Sequence, residues 1–131
     1  MRQRRAHAAL AVALVALVAA CGGDDDAAGD QEIELVDAEL EILAIDNSFE
    51  PEHATIEAGT TVTFRNAGRN DHNVIPEDDD ADWKVAAEAF GPSDMATHRF
   101  TEPGEYRYYC SIHGTIDVGM PGTITVTAPG G

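Results

Sequence analysis

The sequence predicts an all-β fold, a sandwich or barrel made of one domain, and three observations carry that expectation. Apolar and polar residues alternate with a period of two over short runs, clearest in Thr61–Asn66 (TVTFRN) and Gly122–Thr127 (GTITVT). Gly, Pro and Asn break those runs at short intervals, as at Ala58-Gly59, Gly91-Pro92 and Pro103-Gly104. No convincing long helical period interrupts them, which is the pattern of a sandwich or barrel. The chain has 131 residues, enough for one domain, and its β-rich part can bury a real but modest core.

The chain opens on a basic start, Arg2, Arg4 and Arg5, followed by an unbroken apolar run of 13 residues from Ala8 to Ala20. That run is too short to span a bilayer as a stable helix and suits the apolar part of a secretory signal. It ends in Val18-Ala19-Ala20-Cys21, which resembles a bacterial lipobox. In that reading the small residues fit the signal peptidase and Cys21 becomes the lipidated first residue. An ordinary signal peptide cut near Ala20 is the other reading, and both put the mature protein outside the cytoplasm. Residues 1–20 are therefore read as a lipoprotein signal peptide. Residues 21–38, rich in Gly, Ala and acids, are read as a flexible acidic tether. Residues 39–128 are read as the folded domain.

Within the domain, Leu40, Ile42 and Ala44 alternate with Glu39, Glu41 and Leu43 in a first strand. Asn47–Pro51 reads as a turn that offers Phe49 to the core. Ala54–Glu57 is a second short strand, and Thr61–Asn66 a clear one with Val62 and Phe64 inward. A polar loop, Ala67–Asp71, leads to the short apolar run His72–Ile75, and an acidic loop, Pro76–Asp82, follows. Trp83–Phe90 fits either a short helix or an irregular edge segment. Thr97–Phe100 is a strand and Glu102–Gly104 a turn. In Gly104–Tyr109, Tyr106 and Tyr108 alternate with Arg107 and Tyr109, so aromatics lie on both faces. The expected core is Phe49, Val62, Phe64, Val74, Phe100, Tyr106, Tyr108, Ile124 and Val126.

The stretch between the last two strands carries the chemistry. Cys110 ends one strand, His113 follows three residues later, and Met120 seven after that. A thiolate, an imidazole and a thioether on one loop make a soft donor set suited to copper. A trigonal copper site needs a second imidazole, which in a sandwich must come from a distant strand. Among His53, His72 and His98, His72 fits best, because it follows a polar loop at the start of an apolar run. His53 sits in a turn, and His98, between Thr97 and Arg99, is expected to face solvent. Zinc held by Cys110 and two histidines is chemically open as well. A disulfide between Cys21 and Cys110 is the alternative use of the sulfur. No Ser-His-Asp, paired-acid or phosphate-loop pattern is convincing, so no enzyme is expected.

The run Phe64-Arg65-Asn66-Ala67-Gly68, the segment His72-Asn73-Val74, then Tyr109-Cys110-Ser111-Ile112-His113 and Gly119-Met120-Pro121-Gly122 resemble plastocyanin-like cupredoxins. The resemblance covers roughly Leu40 to Thr127. It implies a Greek-key β-sandwich or barrel of cupredoxin type. It also implies a type 1 blue copper site, with His72, Cys110 and His113 as equatorial ligands and Met120 as a weak axial one. Asn73 then ties the first-histidine loop to the cysteine loop through Ser111, and its backbone N–H tunes the thiolate. Tyr109 and the exposed edge of His113 become two paths for the electron. One copper ion cycling between Cu(I) and Cu(II) makes such a protein a one-electron carrier. A copper-binding or delivery module without a redox task is the alternative. Two features depart from plant plastocyanins: a longer loop between His113 and Met120, and a polar loop before His72.

Lys and Arg total 8 against 24 Asp and Glu, a net charge of −16. This argues against a nucleic-acid partner, since phosphate binding needs a basic face. It favours a redox protein with a basic docking face, or simply a well-solvated surface. Lipid on Cys21 would hold the protein to the cell membrane.

Overall fold

The computed structural model describes residues 34–130. The expected signal peptide, Cys21 and the tether up to residue 33 lie outside the described residues. Eight strands follow in order: β1 (Glu39–Ile45), β2 (Ser48–Glu50), β3 (His53–Glu57), β4 (Thr61–Asn66), β5 (Ile75–Pro76), β6 (Met95–Arg99), β7 (Gly104–Tyr109) and β8 (Pro121–Thr127). They form two four-stranded sheets, β2-β1-β4-β6 and β3-β8-β7-β5. Both sheets are mixed: β1 runs parallel to β4 and β3 parallel to β8, and the other pairs are antiparallel. This is an all-β Greek-key sandwich.

The period-two alternation decides which face turns inward. Along β4 the buried residues are Val62, Phe64 and Asn66, and along β8 they are Gly122, Ile124 and Val126. β1 contributes Ile42 and Ala44, both fully buried. Phe49, Phe64, Tyr108, Trp83 and Phe100 fill the space between the sheets. Tyr108 meets Phe49 edge-on at 4.9 Å and Phe64 at 5.4 Å between ring centres. Gly122 makes room for the Tyr108 ring, because a methyl group there would collide with the phenol.

Eight of the nine expected core residues are buried, and the ninth, Tyr106, is half-buried against the same cluster. Two local expectations change, and the open reading of Trp83–Phe90 is decided. Ser48–Glu50, expected within a turn, is a short strand hairpinned onto β1. Asn47 supplies the positive φ, 71°, that this tight reversal needs. Trp83–Phe90 is irregular apart from a 3-10 turn at Ala87–Ala89. It nevertheless buries Trp83, Val85 and Phe90. His98 is half-buried, not solvent-facing, because β6 turns it inward to lie between Trp83 (6.2 Å) and Phe100 (4.7 Å).

Candidate metal centre

His72 reaches one end of the sandwich on a loop organised by Asn66, the last residue of β4. Asn66 is 1% exposed. Its Nδ2 donates to the carbonyls of Asn70 and Phe90, each at 2.8 Å, and its Oδ1 accepts from the Gly68 N–H at 3.0 Å. One side chain thus bonds three backbone groups, two in the irregular loop and one at Phe90. The His72 N–H then donates to the Phe90 carbonyl at 3.2 Å, and Val74 exchanges two backbone hydrogen bonds with Val85. The chain after it joins the sheet as β5, with Ile75 opposite Tyr109. That register sets His72 beside the end of β7, where Cys110 lies.

Cys110 and Met120 come from the same hairpin. The Cys110 N–H donates to the Met120 carbonyl at 3.0 Å, continuing the β7–β8 ladder by one step. Both side chains are fully buried. The intervening loop is tight despite its length. Thr115 N–H donates to the Val118 carbonyl at 2.7 Å, and Gly119 takes a φ of 97°. Gly114 and Gly119 pack backbone on backbone, so a side chain at either would strike the opposite arm. Arg107 braces this loop from outside, donating to Asp117 at 2.8 Å, to the Ile116 carbonyl at 3.3 Å and to Glu77 at 3.0 Å.

These arms bring three donors together. Cys110 Sγ lies 3.7 Å from His72 Nδ1 and 3.6 Å from His113 Nδ1, and all three atoms fall within 4.8 Å of one another. His72 and Cys110 are buried and His113 is half-buried. Burial pushes the His72 pKa below its usual value, and the neighbouring His113 lowers it further; Asp46 and Asp71 act the other way. The imidazole is therefore held neutral, the form that binds metals. A thiol has one proton and cannot donate to two ring nitrogens at once. A cation answers all three: donors this far apart can share one ion at bonds of about 2.0 to 2.3 Å. Sulfur and imidazole donors in a buried trigonal set, beside a buried thioether residue, fit copper.

Asn73 and Ser111 are joined twice. Asn73 Nδ2 donates to Ser111 Oγ, and the Ser111 N–H donates to Asn73 Oδ1, both at 2.8 Å. The hydrogen bonds of this tie run through the Asn73 amide; among the described residues none runs from its backbone N–H to the sulfur. Tyr109 is half-buried on the outer face of β7. His53 is exposed and His98 sits in the aromatic cluster, so neither joins the donors. Sequence reasoning overlooked Asn66 and Arg107. An Asn closing a β-run before a Gly-containing loop was the available signal for the first. Nothing local signals that Arg107 spans two loops.

The plastocyanin/azurin family of copper-binding proteins matches residues 36–127. A plastocyanin from Scenedesmus fuscus is 36% identical over 85 residues, covering 60% of this chain and 85% of that protein. A chloroplastic plastocyanin from Oryza sativa subsp. indica is 33% identical over 129 residues, covering 93% of this chain and 77% of the relative. A solved copper-containing nitrite reductase from Thermus scotoductus SA-01 superposes with a TM-score of 0.58 at 29% identity. That match covers 75% of this chain but 26% of the enzyme's chain. Plastocyanin-like cupredoxins are electron carriers and not enzymes, and their one cofactor is copper. The donor set at the end of the sandwich and a match that spans the whole β-domain agree: this chain belongs to the plastocyanin/azurin family of copper-binding proteins.

Proposed function

We propose that the protein is an extracytoplasmic one-electron carrier. His72, Cys110 and His113 would hold one copper ion, with Met120 as a fourth, weak ligand. The observation that carries this reading is one buried sulfur facing two imidazole Nδ1 atoms at 3.6 and 3.7 Å. Bound there, copper supplies a one-electron Cu(II)/Cu(I) couple. The chain's own residues do the rest. Two strands and a braced loop fix the donors, so little nuclear rearrangement accompanies a change of charge. Burial of Cys110 keeps water and oxidants off the sulfur. The Asn73–Ser111 tie locks the His72 segment to the Cys110 segment. The half-buried ring of His113 and the outward side of Tyr109 offer two routes to a partner.

The basic start, apolar run and Cys21 support export and lipid anchoring to the cell membrane. The net charge of −16 supports a redox partner with a basic docking face. The experiment is copper loading followed by visible and EPR spectroscopy. Oxidised wild type is expected to show an intense visible Cu(II)–thiolate band, and Cys110→Ser to lose it with most of the copper affinity. A colourless loaded wild type, or an unchanged spectrum in Cys110→Ser, would sink the assignment. Elemental analysis of protein from its own cells separates copper from zinc. Metabolic labelling with a fatty acid, lost in Cys21→Ala, tests the anchor.

A further inference from the structure

His72 turns Nδ1 toward the Cys110 sulfur, which leaves Nε2 on the far side of the ring. Nε2 is buried and has no hydrogen-bond partner. A neutral imidazole that offers the Nδ1 lone pair carries its proton on Nε2. The back of His72 is then a buried N–H facing the loop that precedes it. Gly68 closes over that side: a methyl group on Gly68 would sit 3.0 Å from Nε2 and 2.7 Å from Oδ1 of Asp46. The two atoms flank one point, so their separation cannot exceed the sum of those distances. Asp46 is itself held in place. Its Oδ1 accepts from the Arg69 N–H at 3.1 Å and from Asn70 Nδ2 at 3.3 Å. Among the described residues no ion pair neutralises it.

We propose that Asp46 is the positioning residue for His72. Its carboxylate, fixed across Gly68 from Nε2, holds the ring in the Nε2–H tautomer, keeps Nδ1 free for the metal, and favours the more positive metal charge state. The physical basis is a fixed negative charge behind a poorly solvated ring. The Nε2–H tautomer turns its positive end toward that charge, and the Nδ1–H tautomer would turn a lone pair toward it. A carboxylate behind a metal-binding histidine also makes the ring a better donor. Asp71 adds to the same field; both carboxylates are exposed, but Asp71 lies toward Gly91, where Asp46 lies across Gly68 from Nε2. Asp71 therefore serves as the charge control.

The metal-charge part of this inference rests on the copper reading above; the tautomer part concerns the metal-free protein and is decided without it. Nitrogen-15 NMR of metal-free wild type is expected to show His72 as the Nε2–H tautomer. Asp46→Asn should raise the Nδ1–H fraction at least about twofold. In the copper-loaded protein, Asp46→Asn should shift the Cu(II)/Cu(I) ratio at fixed ambient potential toward Cu(I) by about threefold. At 59 mV per tenfold that is about 30 mV, and the shift should exceed that of Asp71→Asn. Gly68→Ala, which wedges the two groups apart and keeps the charge, should move both readouts the same way. An Nδ1–H tautomer in wild type overturns the proposal. So does Asp46→Asn with tautomer and potential both unchanged. If Asp46→Asn does not fold, the wild-type tautomer and Gly68→Ala decide. A protein that takes up no copper refutes the carrier reading and leaves the NMR result to judge Asp46.

Discussion

Tyr108 buries a phenol whose hydroxyl has no partner. Leaving such a group unpaired costs about 1 to 3 kcal/mol, so Tyr108→Phe is expected to stabilise the metal-free domain by about 1 kcal/mol in urea unfolding. Burial also raises its pKa above the ordinary 10.0. The folded state keeps the phenol neutral while the unfolded chain releases the proton. That contribution is full below pH 10 and is lost as pH rises past it. Tyr108→Phe should flatten this alkaline loss of stability; an identical alkaline profile in the variant would assign the loss to other groups. Met120 is buried next to Cys110 and is proposed as a weak ligand. Met120→Gln replaces a soft thioether with a harder amide oxygen, which favours Cu(II). The coloured site should persist at a lower potential by voltammetry, and an unchanged potential would remove Met120 from the ligand set.

The loop from His113 to Met120 and the loop before His72 are held by different devices. From a buried position Asn66 bonds two backbone groups of the His72 loop and ties them to the Phe90 carbonyl. Asn66→Ala should cost about 1 to 3 kcal/mol and broaden the NMR signals of residues 68–72 before those of the sheets. Arg107 works from the surface, joining Glu77 to Asp117 and the Ile116 carbonyl. Its ion pairs are solvent-screened and contribute little to global stability. Arg107→Gln should therefore leave the urea midpoint almost unchanged while speeding copper release to a chelator. A fall in the midpoint with no change in release would make the brace structural only. The Gly114–Gly119 contact explains how a loop this long stays compact, since backbone packs where side chains would otherwise stand.

At the scale of the molecule, His72 comes from the chain between the sheets, while Cys110, His113 and Met120 ride one hairpin. Metal binding thus clasps together parts that unfolding separates. At a free-ion concentration of 100 Kd the gain is about 2.7 kcal/mol, worth on the order of 10 °C in Tm for a domain this size. Calorimetry with and without copper checks this, and coincident Tm values would mean that the metal does not bridge the segments. Much of this was legible in the residues. The alternation in Thr61–Asn66 and Gly122–Thr127 named the inward faces, because a half-buried strand exposes every second side chain. Cys110, His113 and Met120 were legible because they are close in sequence. The roles of Asn66, Asp46 and Arg107 were not, because each acts on residues that only the folded chain brings near. His98 misled for the same reason: Thr97 and Arg99 flank it in sequence, but Trp83 and Phe100 flank it in space. Each sheet has one short margin. β2 has three residues and runs into Pro51; β5 has two and ends in Pro76. Those two margins, brief and proline-stopped, offer a neighbouring molecule almost no ladder to extend, whereas the opposite margins, β6 and β3, have five residues each; any edge-to-edge pairing of copies in concentrated solution is therefore expected through β3 or β6.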